Sequence, residues 1–273
     1  MRGEFVEVSG SRLYYYAAGS RGKGDPVIFI HGFPASSHLW RDVVPLVPAG
    51  HRMVVLDLLG YGRSDRPGTR ELSIAAHAGR VLALMDALRI ERAALVGHDL
   101  GGGIVQQLAV AHPDRISRIA LIASVGFDAW PPPELKLARS ALSFARRMPA
   151  KPLMSALRRA LKGAYEDAER GARSVEMYLR PFQAPGGRET LLAHVAALDP
   201  AETVALAPRL AQLDLPVAVI WGEDDPFLPL SLGQQLQRTI PGATLDVMAG
   251  VRHFPPETVP EGVGRVLAAW LGR

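Results

Sequence analysis

The sequence predicts an α/β fold in which a doubly wound, mostly parallel sheet carries an inserted helical lid. Short apolar runs alternate with helix-compatible stretches in both halves of the 273-residue chain, as parallel strands and crossover helices do. Between the halves, from about Trp130 to Ala205, there is no β-like run. The composition, 48% hydrophobic and 21% charged, is that of a folded globular protein.

The first half begins with a predicted hairpin and continues with strands and helices in alternation. Residues 5–8 and 12–17 are β-like segments around the turn signal Ser9-Gly10. Buried parallel strands are predicted for the apolar runs VIFI, RMVVLD, AALVG and ISRIALIAS, which begin at Val27, Arg52, Ala93 and Ile116. Helices are predicted over residues 73–88 and 102–112, the second ending before Pro113.

The predicted lid interrupts this alternation. Its helix-compatible stretches are separated by Pro131-Pro132-Pro133, Pro149, Pro181 and Pro185-Gly186-Gly187. Strand patterns resume at residues 216–222 and 243–248, and a closing helix is predicted from about Pro260 to Leu271. We therefore expect a first core part at residues 1–128, a lid at 129–207 and a second core part at 208–273.

The excess of basic charge is concentrated in the predicted lid. The net charge is +4, and residues 134–173 contain ten basic and four acidic side chains. Because the basic residues alternate with apolar ones such as Leu142, Phe144 and Leu153, they predict solvated faces of amphipathic helices. A docking patch for an acidic partner is the alternative. The excess has no interleaved aromatic residues, which argues against nucleic-acid binding.

The absence of cysteine excludes disulfides, thiolate metal sites and a cysteine nucleophile. We expect no metal and no cofactor. The first residues lack a positively charged segment followed by an apolar core, and no stretch reaches 18 consecutive apolar residues. These features predict a cytoplasmic protein without membrane contact, and they leave monomer and homodimer equally open.

The segment LVGHDLGGG has the pattern of a nucleophile elbow, a tight turn between a strand and a helix that exposes one side chain. Gly97 and Gly101 stand two places on either side of Asp99. The usual occupant is serine, whereas an aspartate is already an anion at neutral pH. A carboxylate attacks esters poorly but can displace a leaving group from saturated carbon. Asp99 therefore predicts an alkyl electrophile as substrate, the alternative being a glycine-rich turn that contains an aspartate by chance.

An acid and a histidine follow the elbow in the chain order that a catalytic triad requires. Asp225 comes just after one predicted strand and His253 just after the next. In open α/β sheets the chemistry lies at these strand ends. Alone, Asp225 could be a turn residue and His253 a surface residue, but with Asp99 they predict a triad. The backbone N–H groups of Phe33 and Leu100 are predicted to form the oxyanion hole, although Phe33 could also be a core residue.

In these motifs the chain resembles the epoxide hydrolase and haloalkane dehalogenase branch of the α/β-hydrolase superfamily over nearly its whole length. HGFP, DLLGYGRSDRP, GHDLGG, WGEDD and GVRHF occur in the order typical of that branch. The resemblance implies two steps. Asp99 attacks carbon, and a water activated by His253, which Asp225 orients, then hydrolyses the resulting ester.

The resemblance favours an epoxide as the electrophile. Dehalogenases of this branch usually bind halide through a tryptophan after the nucleophile and through the HGNP or HGEP loop, where this chain has Leu100 and Phe33. Neither side chain can donate a hydrogen bond. Epoxide hydrolases need a lid donor to the ring oxygen, and the candidates are Tyr165, Tyr178 and His194, each of which could equally serve packing.

The sequence thus predicts an epoxide hydrolase that acts on a small apolar epoxide. The first alternative is a haloalkane dehalogenase with the same Asp99 nucleophile. The second is a non-catalytic protein that binds a small apolar ligand, which the complete triad disfavours.

Overall fold

The chain folds around one eight-stranded sheet, which confirms the predicted α/β class. The computed structural model describes residues 3–19, 22, 24–147 and 150–272. The strands are β1 (Gly3–Val8), β2 (Ser11–Ala18), β3 (Val27–Ile30), β4 (Met53–Leu56), β5 (Ala93–Asp99), β6 (Ile116–Ser124), β7 (Val217–Gly222) and β8 (Thr244–Met248). Their order is β1-β2-β4-β3-β5-β6-β7-β8. The β1/β2 hairpin joins β4 antiparallel, and every later neighbouring pair is parallel.

Strands β3, β4 and β7 are apolar because both faces of the sheet are covered. Every residue of β3, β4 and β7 is buried, which explains why these strands are continuous apolar runs instead of alternating ones. In the register, Phe29 of β3 lies beside Val96 of β5, which in turn lies beside Ala120 of β6. Because these strands are parallel, their carboxyl ends meet at one edge, where open α/β sheets bind ligands.

Helices cover the sheet and fill the interval between β6 and β7. The helices are α1 (Ile74–Ala87), α2 (Leu100–Ala111), α3 (Pro133–Ser140), α4 (Leu142–Ala145), α5 (Ala150–Lys162), α6 (Ala168–Gln183), α7 (Gly187–Ala197), α8 (Pro200–Leu210), α9 (Leu230–Thr239), α10 (Pro255–Thr258) and α11 (Pro260–Leu271). Among the described residues between β6 and β7 there is no strand. None of the helices within the described ranges is long and apolar enough to cross a membrane.

Aspartate caps define the starts of two helices in this interval. The Asp167 carboxylate accepts hydrogen bonds from the amides of Glu169 and Arg170 at the start of α6. Asp199 does the same for α8, accepting from Ala201. One expected break is absent, because Pro181 lies within the last turn of α6. So close to the end of a helix, proline removes one hydrogen bond without stopping the preceding turns.

Candidate active site

The predicted elbow forms where β5 meets α2. Asp99 has φ 51° and ψ −118°, an unusual conformation for a residue other than glycine. The flanking glycines permit the tight approach that this turn needs. A Cβ on Gly97 would overlap the carbonyl of Gly101, and a Cβ on Gly101 would overlap that of Ile30 at the end of β3. The turn therefore places the Asp99 side chain at the carboxyl edge of the sheet.

The two oxygens of the Asp99 carboxylate have different surroundings. Oδ1 accepts a hydrogen bond from the Phe33 amide at 2.8 Å, and the Leu100 amide also stabilises the carboxylate. Oδ2 faces Nε2 of His253 at 3.9 Å, too far for a hydrogen bond. Burial raises the pKa of Asp99, and the attraction of His253 and of the two amides offsets this rise only in part. The structure thus gives one oxygen fixed by the Phe33 amide and one that faces the histidine.

Asp225 holds His253 from the other side. Oδ2 of Asp225 lies 2.8 Å from Nδ1 of His253, and its Oδ1 accepts from the amides of Phe227 and Leu228 at 2.8 and 3.0 Å. Burial lowers the pKa of His253, but the charge and hydrogen bond of Asp225, with the charge of Asp99, outweigh it and the pKa is raised overall. The structure therefore brings together the three residues that the sequence predicts as a triad.

The backbone of His253 is fixed as firmly as its ring. Its carbonyl lies 2.8 Å from Nε2 of His98, the residue before the elbow aspartate, and its amide donates to Ala164 at 3.3 Å. The rings of His98 and His253 lie 4.8 Å apart. This pair of contacts connects the histidine loop to the elbow and to the helical segment between β6 and β7.

Two of the lid candidates, Tyr165 and Tyr178, contact a buried carboxylate that the sequence analysis did not single out. Both hydroxyls donate a hydrogen bond to Oε1 of Glu257, and the bond from Tyr165 is 3.1 Å long. Oε2 of Glu257 binds Nη2 of Arg41 at 3.0 Å and the hydroxyl of Ser174. Glu257 is fully buried, so these four partners compensate its charge. The only sequence signal was its place, four residues after the histidine in HFPPE.

The third lid candidate, His194, lies on α7 close to the oxyanion residue. Its ring is 6.5 Å from that of Phe33 and 3.9 Å from that of Tyr61. Burial lowers the pKa of His194 to about 3, so the ring is neutral. Its Nε2 lies beside the Gly60 backbone without forming a well-aligned hydrogen bond. Tyr61 was also missed by sequence reasoning, although it belongs to the DLLGYGRSDRP motif.

The histidine and carboxylate side chains of the site are also of the types that could bind a metal ion. Within the described part of the chain, no group of three or more histidine or carboxylate side chains is arranged to hold a metal ion.

Comparisons with known proteins extend over almost the whole chain. A family model described as "alpha/beta hydrolase fold" matches residues 25–259. The chain is 33% identical to the dihydrolipoyllysine-residue acetyltransferase component of the acetoin cleaving system of Cupriavidus necator, over 98% of this chain and 69% of that protein. It is 25% identical to the uncharacterized hydrolase YugF of Bacillus subtilis, over 97% and 96% of the two chains.

Solved structures with the same fold also match almost the whole chain. An α/β hydrolase fold protein from Burkholderia ambifaria superimposes with a TM-score of 0.87 at 27% identity, covering 99% of this chain and 97% of that one. Est816, described as an N-acyl homoserine lactone degrading enzyme, superimposes with a TM-score of 0.78 at 29% identity, covering 97% and 99%. These likenesses agree on the fold, and their names do not point to one substrate.

Proposed function

Since the chain belongs to the α/β-hydrolase fold family and is a hydrolase, we propose that it opens small apolar epoxides with water to give vicinal diols, using Asp99 as the nucleophile. The observation that carries this proposal is the asymmetry of the Asp99 carboxylate. Oδ1 is held by the Phe33 amide, while Oδ2 faces His253 without a hydrogen bond. A carboxylate at an elbow can attack saturated carbon directly, without first losing a proton.

In the first step Oδ2 of Asp99 attacks an epoxide carbon and the carbon–oxygen bond of the ring breaks. The product is an alkyl ester on Asp99. Oδ1 remains on the Phe33 amide, which orients the carboxylate for attack together with the Leu100 amide. Attack on an ester or a lactone would instead form an anhydride on the carboxylate, a less favourable reaction for this nucleophile.

In the second step Nε2 of His253 takes a proton from water, and the water oxygen attacks Cγ of the Asp99 ester. Negative charge develops on Oδ1, where the Phe33 amide stabilises it, and the Leu100 amide also stabilises the carboxylate group. Asp225 stabilises the imidazolium that forms and keeps the ring oriented. The intermediate then releases the alcohol, and Asp99 retains one oxygen from water.

The donors around the nucleophile favour an epoxide over a haloalkane. The side chains of Phe33 and Leu100 cannot bind a halide, and the chain contains no asparagine. Three of the four indole N–H groups already donate to protein oxygens, those of Trp130, Trp221 and Trp270. The fourth, on Trp40, has no partner among the described residues, and its ring packs on Phe29, 5.2 Å away.

A haloalkane dehalogenase with the same Asp99 nucleophile is the second candidate, because the attack and the hydrolysis would be identical. Among the three lid candidates, His194 is the one whose ring approaches that of Phe33. It lies beside Phe33, whereas the hydroxyl protons of Tyr165 and Tyr178 are directed to Glu257.

The test is a substrate panel in which diol and halide are both measured. Terminal and cyclic epoxides are compared with chloro- and bromoalkanes and with an N-acyl homoserine lactone as the acyl competitor. We expect diol from at least one epoxide and loss of that activity in Asp99→Ala. Halide release with no diol from any epoxide would establish the second candidate, and turnover of the lactone alone would refute both.

A single turnover in heavy-oxygen water tests the covalent step. The proposed mechanism transfers the label to the peptide that contains Asp99, because the water oxygen stays on the carboxylate. Label found only in the diol would mean that water attacks the epoxide directly and that Asp99 acts as a base.

A further inference from the structure

A buried polar cluster of three side chains, Tyr61, His77 and His194, lies beside the oxyanion residue. The Tyr61 ring is 3.9 Å from the His194 ring, and 6.5 Å from each of the rings of His77 and Phe33. All three members are buried, with at most 2% of the side chain exposed. The Tyr61 hydroxyl and both ring nitrogens of His77 have no hydrogen-bond partner among the described residues. Since buried polar groups are nearly always paired, this cluster calls for an explanation.

We propose that the Tyr61 hydroxyl donates its proton to the ring oxygen that leaves carbon when Asp99 attacks, with the ring of His194, 3.9 Å away, holding the tyrosine in position. The proposal rests on the nucleophilic role of Asp99. Of the three tyrosines near the site, those at 165 and 178 already donate to Glu257, and Tyr61 is the one whose hydroxyl has no acceptor among the described residues.

The atoms balance over the two steps. When the bond from Oδ2 of Asp99 to carbon forms and the ring bond breaks, the ring oxygen takes the Tyr61 proton and leaves a tyrosinate. Water then attacks the ester, and His253 passes one water proton to the departing alcohol oxygen. Asp99 is released as the acid, and its proton restores Tyr61. One water is consumed, and each side chain returns to its starting state.

The electrostatics of the cluster suit this transfer. Burial, and next the charge of Asp99, raise the pKa of Tyr61, so the hydroxyl is neutral and retains its proton in the resting enzyme. Attack removes the charge of Asp99 at the moment when charge develops on the ring oxygen. One of the two effects that hold the proton on Tyr61, the charge of Asp99, is therefore withdrawn when the proton is needed, while the effect of burial remains. Burial also keeps His77 and His194 neutral, so no competing cation lies within the cluster.

The experiment follows formation of the Asp99 ester, with His253→Gln as the background that blocks its hydrolysis. Styrene oxide is the probe, and quenched samples are analysed by peptide mass spectrometry. We expect Tyr61→Phe to slow ester formation by about 10² or more, the range for loss of a general acid. Tyr16→Phe is the matched control, because the Tyr16 hydroxyl is also buried and unpaired, but the charges that act on it are those of Tyr14, Asp57 and Arg41.

The outcomes are distinguishable. No ester on Asp99 in His253→Gln alone would refute the proposed function. Ester formation within twofold of that background in Tyr61→Phe, or an equal loss in Tyr16→Phe, would refute the role of Tyr61. Site-specific 3-fluorotyrosine at position 61 keeps the ring and the hydroxyl but lowers its pKa, so the pH above which ester formation declines should move down. If that pH does not change, the role of Tyr61 is also refuted, even if Tyr61→Phe fails to fold.

Discussion

The variant Asp225→Asn separates the two proposed half-reactions. An asparagine oxygen can still accept the amides of Phe227 and Leu228, which lie 2.8 and 3.0 Å from the present carboxylate. The loop that carries residue 225 should therefore keep its shape. What the variant removes is the negative charge 2.8 Å from Nδ1 of His253. We expect ester formation on Asp99 to survive and its hydrolysis to fail.

The size of the effect follows from the role of the base. An oriented general base contributes about 10²–10⁴ to a rate, which is about 3–5 kcal/mol of barrier. Asp225 both orients His253 and supports its protonated form, so hydrolysis of the ester should slow by about 10³. Asp225 makes no hydrogen bond to Asp99, so formation of the ester should change less than about tenfold. The ester should then accumulate close to one equivalent per enzyme.

The pH profile gives a second, independent readout. His253 must be neutral to accept a proton from water, so hydrolysis is lost as the pH falls through its pKa. Burial lowers that pKa, and the charge and hydrogen bond of Asp225, which remain in the ester, raise it. Without the Asp225 charge, burial dominates, and the acid limb should move to lower pH.

The assay combines rapid quenching with mass spectrometry of the Asp99 peptide and measurement of diol, from about pH 5 to pH 9. Asp224→Asn is the matched control, since the neighbouring carboxylate is exposed and is not in the hydrogen-bonded set around His253. Equal losses of ester formation and hydrolysis in Asp225→Asn, or an acid limb that does not move, would refute the assignment of this carboxylate.

Three further variants test the architecture by urea unfolding. Gly101→Ala should destabilise by about 1–3 kcal/mol, because the new Cβ would overlap the backbone of β3, whereas Gly79→Ala at an exposed position of α1 should stabilise by about 0.5–1 kcal/mol; equal effects would contradict the elbow geometry. Glu257→Leu should cost about 3 kcal/mol, because it removes the buried carboxylate that binds Arg41 and leaves the Tyr165 and Tyr178 hydroxyls without this acceptor, and Glu257→Gln should cost less; a neutral Glu257→Leu would contradict this. Asp199→Ala should cost about 1 kcal/mol by uncapping α8, and no change would mean that the cap is solvated.

The parts of the fold that were predictable are those specified by neighbouring residues. Periodicity located the strands within a few residues, although β5 extends two residues past the predicted end to include Asp99. The elbow was recognisable because a turn this tight needs glycine at 97 and 101, which is a requirement of local sterics. Asp225 and His253 followed from chain order and from their place after strands.

The surroundings of the nucleophile were not predictable, because they depend on contacts between distant parts of the chain. Tyr178 and Glu257 are 79 positions apart, and no local pattern shows that they share a hydrogen bond. Tyr165 meets the same carboxylate from 92 positions away. A tyrosine in the lid was therefore recognisable as a possible donor, but its actual acceptor was not. Tyr61 lies outside the predicted lid, where the resemblance places the donor to the ring oxygen.

The histidines show how the fold selects one base from several buried imidazoles. Burial lowers the pKa of His31, His77, His98 and His194, which keeps these rings neutral. His253 is as deeply buried, yet its pKa is raised, because Asp225 contacts one ring nitrogen and Asp99 faces the other. Esterification of Asp99 would remove one of the two charges that raise this pKa. His253 should therefore be more fully neutral in the ester than in the free enzyme, which is the state in which it must accept a proton from water.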